Sequence, residues 1–129
     1  MGNSFKFGLQ KLLDIRMEKE EQSKRVFIEA QNDKNRAEKR LTDMKESYKK
    51  YNLFDEKETV AYKKIRRNYL TSLSLSMDEA EESLKKKEAI LNSCREDLRD
   101  KQVDRKTVEV IKDKRYIEFI KEQNLIEQR

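Results

Sequence analysis

The sequence predicts an all-α protein, a long antiparallel coiled-coil hairpin of two helices joined by a short turn. The 129-residue chain has no proline, and its two glycines, Gly2 and Gly8, both lie near its start. Because proline and glycine are the strongest breakers of helices, the rest of the chain is free to form very long helices. Charged residues make up 44% of the chain and hydrophobic residues 35%, which is typical of a coiled coil with a narrow apolar seam.

The first predicted helix begins near Ser4, whose hydroxyl can cap its N-terminus, and runs to about Tyr51. Residues spaced alternately by four and three positions mark one face of this helix, as in a coiled-coil seam. Both ends of the series are apolar, whereas the stretch from Arg16 to Ser23 is polar. A polar seam lowers stability but can fix the register of two helices. The series is Leu9, Leu13, Arg16, Glu20, Ser23, Phe27, Ala30, Lys34, Ala37, Leu41, Met44, Tyr48, Tyr51.

A break near residues 52–57 separates the two predicted arms. Asn52 can end the first helix, and Asp55 followed by Glu58 offers a cap for a new one. Two arms joined by so short a turn fold back antiparallel. The predicted boundaries are a first helix of residues 4–51, a turn of 52–55 and a second arm of 56–128, within one hairpin domain of residues 1–129.

The second arm has a seam of its own. The run TSLSLS at residues 71–76 predicts a kink or a poorly wound join. Ser76 and Glu79 form a capping box, so the sequence also allows a helix start at Met77. The seam series is Leu73, Met77, Ala80, Leu84, Lys87, Leu91, Cys94, Leu98.

Beyond Leu98 the apolar residues leave this series. The drift predicts a stutter, or a helix end that no longer packs on its partner and offers apolar surface elsewhere. A hairpin with ~47-residue arms is ~70 Å long and brings its two ends together, with Leu13 and Phe119 near the shared end. The two apolar rows of this region are Val103, Val110, Ile117, Asn124 and Val108, Ile111, Phe119, Ile126.

Composition argues against most chemistry. The chain has no histidine and a single cysteine, Cys94, which falls in the seam series and cannot form an intramolecular disulfide. After Gly8 no glycine remains for a phosphate-binding loop. We therefore expect neither an enzyme nor a metal or cofactor site.

Charge and hydropathy bound the partners and the compartment. The 31 basic and 26 acidic residues are interleaved along the chain, and the net charge is +5. The basic residues therefore do not cluster on one face as they do in nucleic-acid-binding proteins. No apolar stretch approaches the roughly 20 residues of a membrane span, and no signal peptide is visible. We expect a cytoplasmic protein that binds no nucleic acid and does not insert into a membrane.

Two surface features exceed what a seam requires. Half of the chain's aromatic residues cluster around the predicted turn, where exposed tyrosines are favoured anchors for partners. Both ends of the chain, FKFGLQKLL and RKTVEVIKDKRYIEFI, are basic and amphipathic, and the hairpin places them side by side. The aromatic cluster is Tyr48, Tyr51, Phe54, Tyr62, Tyr69.

The two ends resemble the flagellar export protein FliJ family. FKFGLQKLLDIRMEKEEQSKR is similar to the N-terminal signature of that family, with its Phe-x-Phe entry, Leu-Leu pair and following Arg. DRKTVEVIKDKRYIEF is similar to its C-terminal run, and the tyrosine-bearing turn and YLTSL segment agree with its layout. The resemblance covers nearly the whole chain.

The resemblance implies a non-enzymatic stalk of the bacterial flagellar type III export apparatus, similar to the coiled-coil stalk of the rotary ATPase gamma subunit. Its paired ends would insert into the hexameric export ATPase and promote its assembly and activity. The other end would contact the cytoplasmic domain of the export gate, with export chaperones as further partners. The implied location is cytoplasmic, at the cytoplasmic face of the inner membrane.

Family roles carried onto this sequence give two residue sets. The implied ATPase-binding residues are Lys11, Leu12, Arg16, Arg105, Lys106, Ile111, Lys114, Arg115. The implied gate-binding residues are Met44, Tyr48, Tyr51, Tyr69, Leu73, Met77.

Two alternatives stay open at this point. The chain could be a virulence-secretion counterpart of the flagellar stalk. It could also be a generic scaffold coiled coil that forms homodimers along its length, although a continuous parallel dimer would not need the break at residues 52–57. A hairpin predicts a monomer of ~70 Å, and an extended dimer predicts a rod nearly twice as long.

Overall fold

A computed structural model describes residues 4–53 and 56–128 of the chain. It contains two helices, α1 from Gln10–Tyr51, with 42 residues, and α2 from Val60–Gln128, with 69 residues. The helices pack against each other as an all-α hairpin, and the described residues contain no strand. The predicted fold class is therefore confirmed.

The first helix begins later than the sequence predicts. Ser4 does not cap it, because residues 4–7 are not helical and α1 starts only at Gln10. The backbone N–H of Gln10 donates to the carbonyl of Phe7 at 3.1 Å, which makes a tight turn just before the helix. Residues 4–9, which precede α1 and which we call the entry segment, carry Phe5, Phe7 and Leu9 into a hydrophobic cluster. This packing takes the place of one more turn of helix.

The connection between the helices confirms one prediction and changes another. Helix α1 ends at Tyr51, next to the predicted stop at Asn52. Helix α2 begins at Val60, where the hydroxyl of Thr59 accepts a hydrogen bond from the Tyr62 N–H at 3.1 Å. Thr59 is thus the observed N-cap. The predicted cap Asp55 lies outside the described residues, as does Phe54.

Residues 71–76 lie inside α2 as uninterrupted helix, so the alternative of a helix start at Met77 is wrong. The physical reason is local. The run contains no proline or glycine, and Leu73 and Met77 are half-buried at seam positions, so the helical hydrogen bonds and the seam favour the same conformation.

The described residues form two compact units, each made from a segment of both helices. Unit 1 comprises residues 4–27 and 94–128, and unit 2 comprises residues 28–53 and 56–93. Within each unit the two segments run antiparallel. The expectation that residues 1–129 form a single domain stays a prediction.

The seam of α1 agrees with its predicted series. Of the thirteen positions from Leu9 onward, only Tyr51 is exposed, and Leu13, Ser23, Ala30 and Leu41 are buried. All eight predicted seam residues of α2 from Leu73 to Leu98 are buried or half-buried as well. Four-three spacing therefore identifies the packed face, even where the residue is polar.

Of the two alternatives predicted for the drift after Leu98, the stutter does not occur, whereas apolar surface on another face does. The seam keeps its four-three spacing through Lys101, Arg105, Val108 and Lys112, which are all buried or half-buried. Three of these four side chains are basic, so apolar periodicity alone could not follow the seam. The row that begins at Val103 lies on another face and is exposed.

Candidate partner-binding surfaces

Unit 1 has a hydrophobic cluster built from the entry segment and both helices. Phe7, Leu13 and Val108 are buried and contact one another. Leu13 packs in one cluster with Val108, so it does not lie beside Phe119 as expected. The register of the two helices therefore differs from the predicted one. Phe119 instead lies beside Phe5, with ring centroids 5.5 Å apart.

The entry segment is anchored by aromatic contacts. The ring of Phe5 meets that of Tyr116 edge to face, at 5.3 Å and 77°. The guanidinium of Arg115 lies over the ring of Phe7 at 5.5 Å, a cation–π contact. The alternation of Phe5 and Phe7 with exposed Lys6 is the signal that could have identified a packed extended segment.

Polar bridges join the two helices of unit 1 where the predicted seam is polar. Arg105 forms a bidentate pair with Glu20, its Nε donating to Oε2 at 2.6 Å and its Nη2 to Oε1 at 3.2 Å. A third donor, Nη1, reaches Glu109 at 2.8 Å. The hydrogen bonds with Glu20 and then Glu109 raise the pKa of Arg105 further above its ordinary value, so this cation persists at every pH at which proteins fold.

Other bridges continue the antiparallel order. Ser23, buried at a seam position, donates its hydroxyl to the Asp97 carboxylate at 2.7 Å. Arg16 Nη1 donates to the backbone carbonyl of Asp104 at 2.8 Å. Each contact has defined geometry, so together they specify which residues face each other.

The structure divides the implied ATPase-binding residues into two groups. Arg16 and Arg105 bridge the helices, and Ile111 packs against the core cluster. These three side chains hold unit 1 together. The remaining five are exposed in the same unit, and of these Arg115 also contacts the ring of Phe7: Lys11, Leu12, Lys106, Lys114, Arg115.

The buried side chains of unit 2 are those of Ala30, Leu41, Ala80 and Leu91. One groove, which we call the basic groove, carries three basic side chains, of which Arg66 pairs with Glu58. It is lined by Tyr48, Asn52, Lys63, Arg66, Arg67, Leu70, Thr71, Ser74, Leu75.

An aromatic surface lies in the same unit. The rings of Tyr51 and Tyr69 meet edge to face with centroids 5.2 Å apart. With Tyr62, Ile65 and the aliphatic part of Arg66, they line a concave site. The three tyrosines and Ile65 are each more than two-fifths exposed, so the site offers apolar area together with tyrosine hydroxyl groups.

The implied gate-binding residues all belong to unit 2, but the structure does not bring them into one site. Tyr51 and Tyr69 line the aromatic site, and Tyr48 lines the basic groove. Met44 and Leu73, with Tyr69, line a third groove. Met77 is half-buried at a seam position.

Arg66 is a residue of this region that sequence reasoning missed. Its Nη1 donates to the backbone carbonyl of Leu53 and pairs with the Glu58 carboxylate at 3.2 Å. Both charged side chains are only about one-seventh exposed. Arg66 thus fastens the connection to α2 and supports the tyrosines beside it.

Two kinds of site are not found among residues 4–53 and 56–128. No group of three or more cysteine or acidic side chains is arranged to hold a metal ion. No helix there contains an apolar stretch suited to crossing a bilayer.

Comparison with known proteins gives a family. The family model described as "Flagellar FliJ protein" matches residues 5–129 of the chain. No curated protein and no solved structure matches the chain in the same comparison. Since the family match spans nearly the whole sequence, the chain belongs to the flagellar FliJ family and is thereby a component of the flagellar export apparatus.

Proposed function

We propose that this protein is a non-enzymatic stalk of the flagellar type III export apparatus, which binds the hexameric export ATPase through unit 1 and the cytoplasmic domain of the export gate through unit 2. The observation that carries the proposal is the family match over residues 5–129. Export chaperones are further proposed partners, and the proposed location is the cytoplasmic face of the inner membrane. In this role the hairpin promotes assembly and activity of the ATPase.

The exposed cations of unit 1 support the ATPase contact. Lys106, Lys114 and Arg115 are all exposed on α2, and Lys11 is exposed on α1. Such a surface favours a partner with complementary acidic groups, because charge complementarity orients binding and speeds association. The bridges of Arg16 and Arg105 support the same contact indirectly, since they keep the two segments in register.

The ATPase proposal is tested by charge reversal at residues that do not hold the fold. The variant carries Lys11→Glu, Lys106→Glu and Lys114→Glu. Arg105 is left intact because it pairs with Glu20, and Arg115 because it contacts the ring of Phe7. Hydrolysis by the export ATPase is measured with and without the chain, and stimulation should fall roughly tenfold or more. Circular dichroism verifies the helix content.

The matched control reverses three exposed lysines of unit 2, in the variant Lys39→Glu, Lys85→Glu, Lys86→Glu. It changes the net charge by the same amount and should stimulate the ATPase as the wild type does. Full stimulation by the unit 1 variant with intact helicity would refute the ATPase assignment. An equal loss in both variants would show a general effect of charge instead of a site.

The aromatic site supports the gate contact, since exposed tyrosines supply large contact area at low entropic cost. The variant Tyr51→Ala with Tyr69→Ala should weaken binding of the gate domain by roughly tenfold or more, as measured by calorimetry. Tyr116→Ala is the matched control, because Tyr116 is also about half exposed but lies in unit 1. Unchanged affinity of the double variant would contradict the assignment.

A further inference from the structure

One exposed face of α2 in unit 1 packs against no other part of the described residues 4–53 and 56–128. It carries aliphatic and basic residues in strict alternation, and we call it the outer stripe. Its members are Val103, Lys106, Val110, Lys114, Ile117, Lys121.

The outer stripe faces away from α1. At 3.6 residues per turn, its six positions fall within roughly 80° of the helix circumference. The buried Val108, which packs on α1, lies about 160° from the centre of this arc. The three aliphatic side chains are 50–57% exposed, so their apolar area is open to a partner.

The charges of the stripe are of one sign. No carboxylate lies within the arc, although Asp113 and Glu118 border it. None of the three lysines forms an ion pair with the described residues 4–53 and 56–128. The hairpin therefore leaves a line of three lysines about 22 Å long, without ion pairs among the described residues, beside the aliphatic row.

We propose that the outer stripe docks an amphipathic helix of a partner protein, with an aliphatic seam and acidic flanks, to form a third strand of the coiled coil. Val103, Val110 and Ile117 recur every seven residues, which is the repeat of a coiled-coil seam. β-Branched residues suit position a of such a seam, and with the aliphatic row at a, Lys114 and Lys121 fall at position e, where acidic residues of a partner helix would pair with them. The inference extends the proposed ATPase contact, because Lys106 and Lys114 belong to both surfaces.

Other occupants fit the stripe less well. Helices that lie on membranes separate a bulky apolar face from a basic one, whereas here the cations alternate with the aliphatic residues. A second copy of the chain paired through the stripe would bring lysines against lysines.

The test uses a synthetic helical peptide of about three heptads, with leucine and isoleucine at the seam and glutamate at the flanking positions. The full chain is titrated into the labelled peptide and binding is followed by fluorescence anisotropy. We expect saturable binding that weakens as the salt concentration rises. A second peptide with lysine in place of each glutamate should not bind.

Substitutions in the chain locate the contact. Val110→Glu with Ile117→Glu should reduce affinity for the acidic peptide at least tenfold, because it places charges in the aliphatic row. Val26→Glu is the matched control, since Val26 is 54% exposed on α1 of the same unit. It should bind as the wild type does.

Several results would overturn the inference. They are no binding of the acidic peptide by the wild type, equal binding of the lysine peptide, or equal binding by the stripe variant. Binding to phosphatidylglycerol vesicles without peptide binding would favour a membrane, and self-association abolished by the stripe variant would favour a second copy.

The ATPase assay separates this inference from the proposed function. Normal stimulation by a chain that does not bind the peptide would reject only the stripe. Peptide binding by a chain that does not stimulate the ATPase would reject only the ATPase assignment and would support the stripe.

Discussion

Unit 1 and unit 2 are built from the same two helices but stabilise them differently. Unit 1 packs large side chains such as Phe7 and Leu13 and adds geometrically specific bridges, above all Arg105 with Glu20. Unit 2 buries the small Ala30 and Ala80 alongside two leucines, and its ion pairs lie along one helix or, as in Arg66–Glu58, beside the connection. The contacts that fix the register of the two helices are therefore concentrated in unit 1, whereas unit 2 exposes aromatic side chains that a partner can contact.

The largest expected effect comes from the core of unit 1. Leu13→Ala should lower the free energy of unfolding by about 2–5 kcal/mol, because Leu13 is buried against Phe7 and Val108. Hydrogen exchange should accelerate more in residues 4–27 and 94–128 than in unit 2. Leu41→Ala in unit 2 should show the reverse distribution. Equal acceleration throughout the chain in both variants would show that the units do not differ in local stability.

The polar bridges provide the next test. Arg105→Ala should cost about 1–3 kcal/mol in chemical denaturation, because it leaves the half-buried Glu20 without its bidentate partner. Arg105→Lys should recover only part of this loss, since lysine cannot form two parallel hydrogen bonds.

The neighbouring Lys106→Ala is the control for Arg105→Ala. Lys106 is exposed and has no ion pair with the described residues, so its removal should change stability by no more than about 0.5 kcal/mol. If the two substitutions cost the same, the bridges do not distinguish unit 1 from unit 2.

A smaller effect is expected at the connection in unit 2. Thr59→Ala removes the acceptor for the Tyr62 N–H and should cost about 1 kcal/mol in thermal denaturation. Thr42→Ala is a suitable control, because Thr42 lies within α1 and its hydroxyl donates a hydrogen bond to the carbonyl of Glu38. A loss at Thr42 as large as that at Thr59 would argue against a capping role.

The smallest effect is expected in the entry segment of unit 1. A Cβ added at Gly8 meets no atom within 4 Å, and Gly8 does not adopt a positive φ angle. Gly8→Ala should therefore stabilise the protein by about 0.4–1 kcal/mol, through the lower entropy of the unfolded chain. A loss of stability in thermal denaturation would show that this segment needs the freedom of glycine.

The sequence alone places the candidate ATPase-binding residues near the two ends of the chain, which form unit 1. It does not show which of them hold the helices together and which are open to a partner. The sequence marks Lys106 and Arg105 equally as basic residues near the C-terminal end. Only packing shows that Arg105 faces Glu20 across the seam and that Lys106 faces outward. The reason is that the side chains of consecutive helix residues point about 100° apart around the helix axis. Two adjacent basic residues can therefore make different contacts.

The sequence by itself determined the all-α hairpin and most of its seam. The chain has no proline and no glycine after Gly8, and its apolar residues recur in heptads such as Leu84, Leu91 and Leu98. Two long helices packed along one seam bury these residues together. These are local properties of spacing and backbone freedom.

Tertiary structure alone decided the register, the course of the seam beyond Leu98 and the late start of α1. Leu13 opposite Val108, Arg105 opposite Glu20 and Phe5 beside Phe119 are pairings between distant parts of the chain. A heptad pattern repeats every seven residues, so it fits several offsets of the two helices almost equally well. Side-chain volume and hydrogen-bond geometry select one offset, and both exist only once the helices are packed.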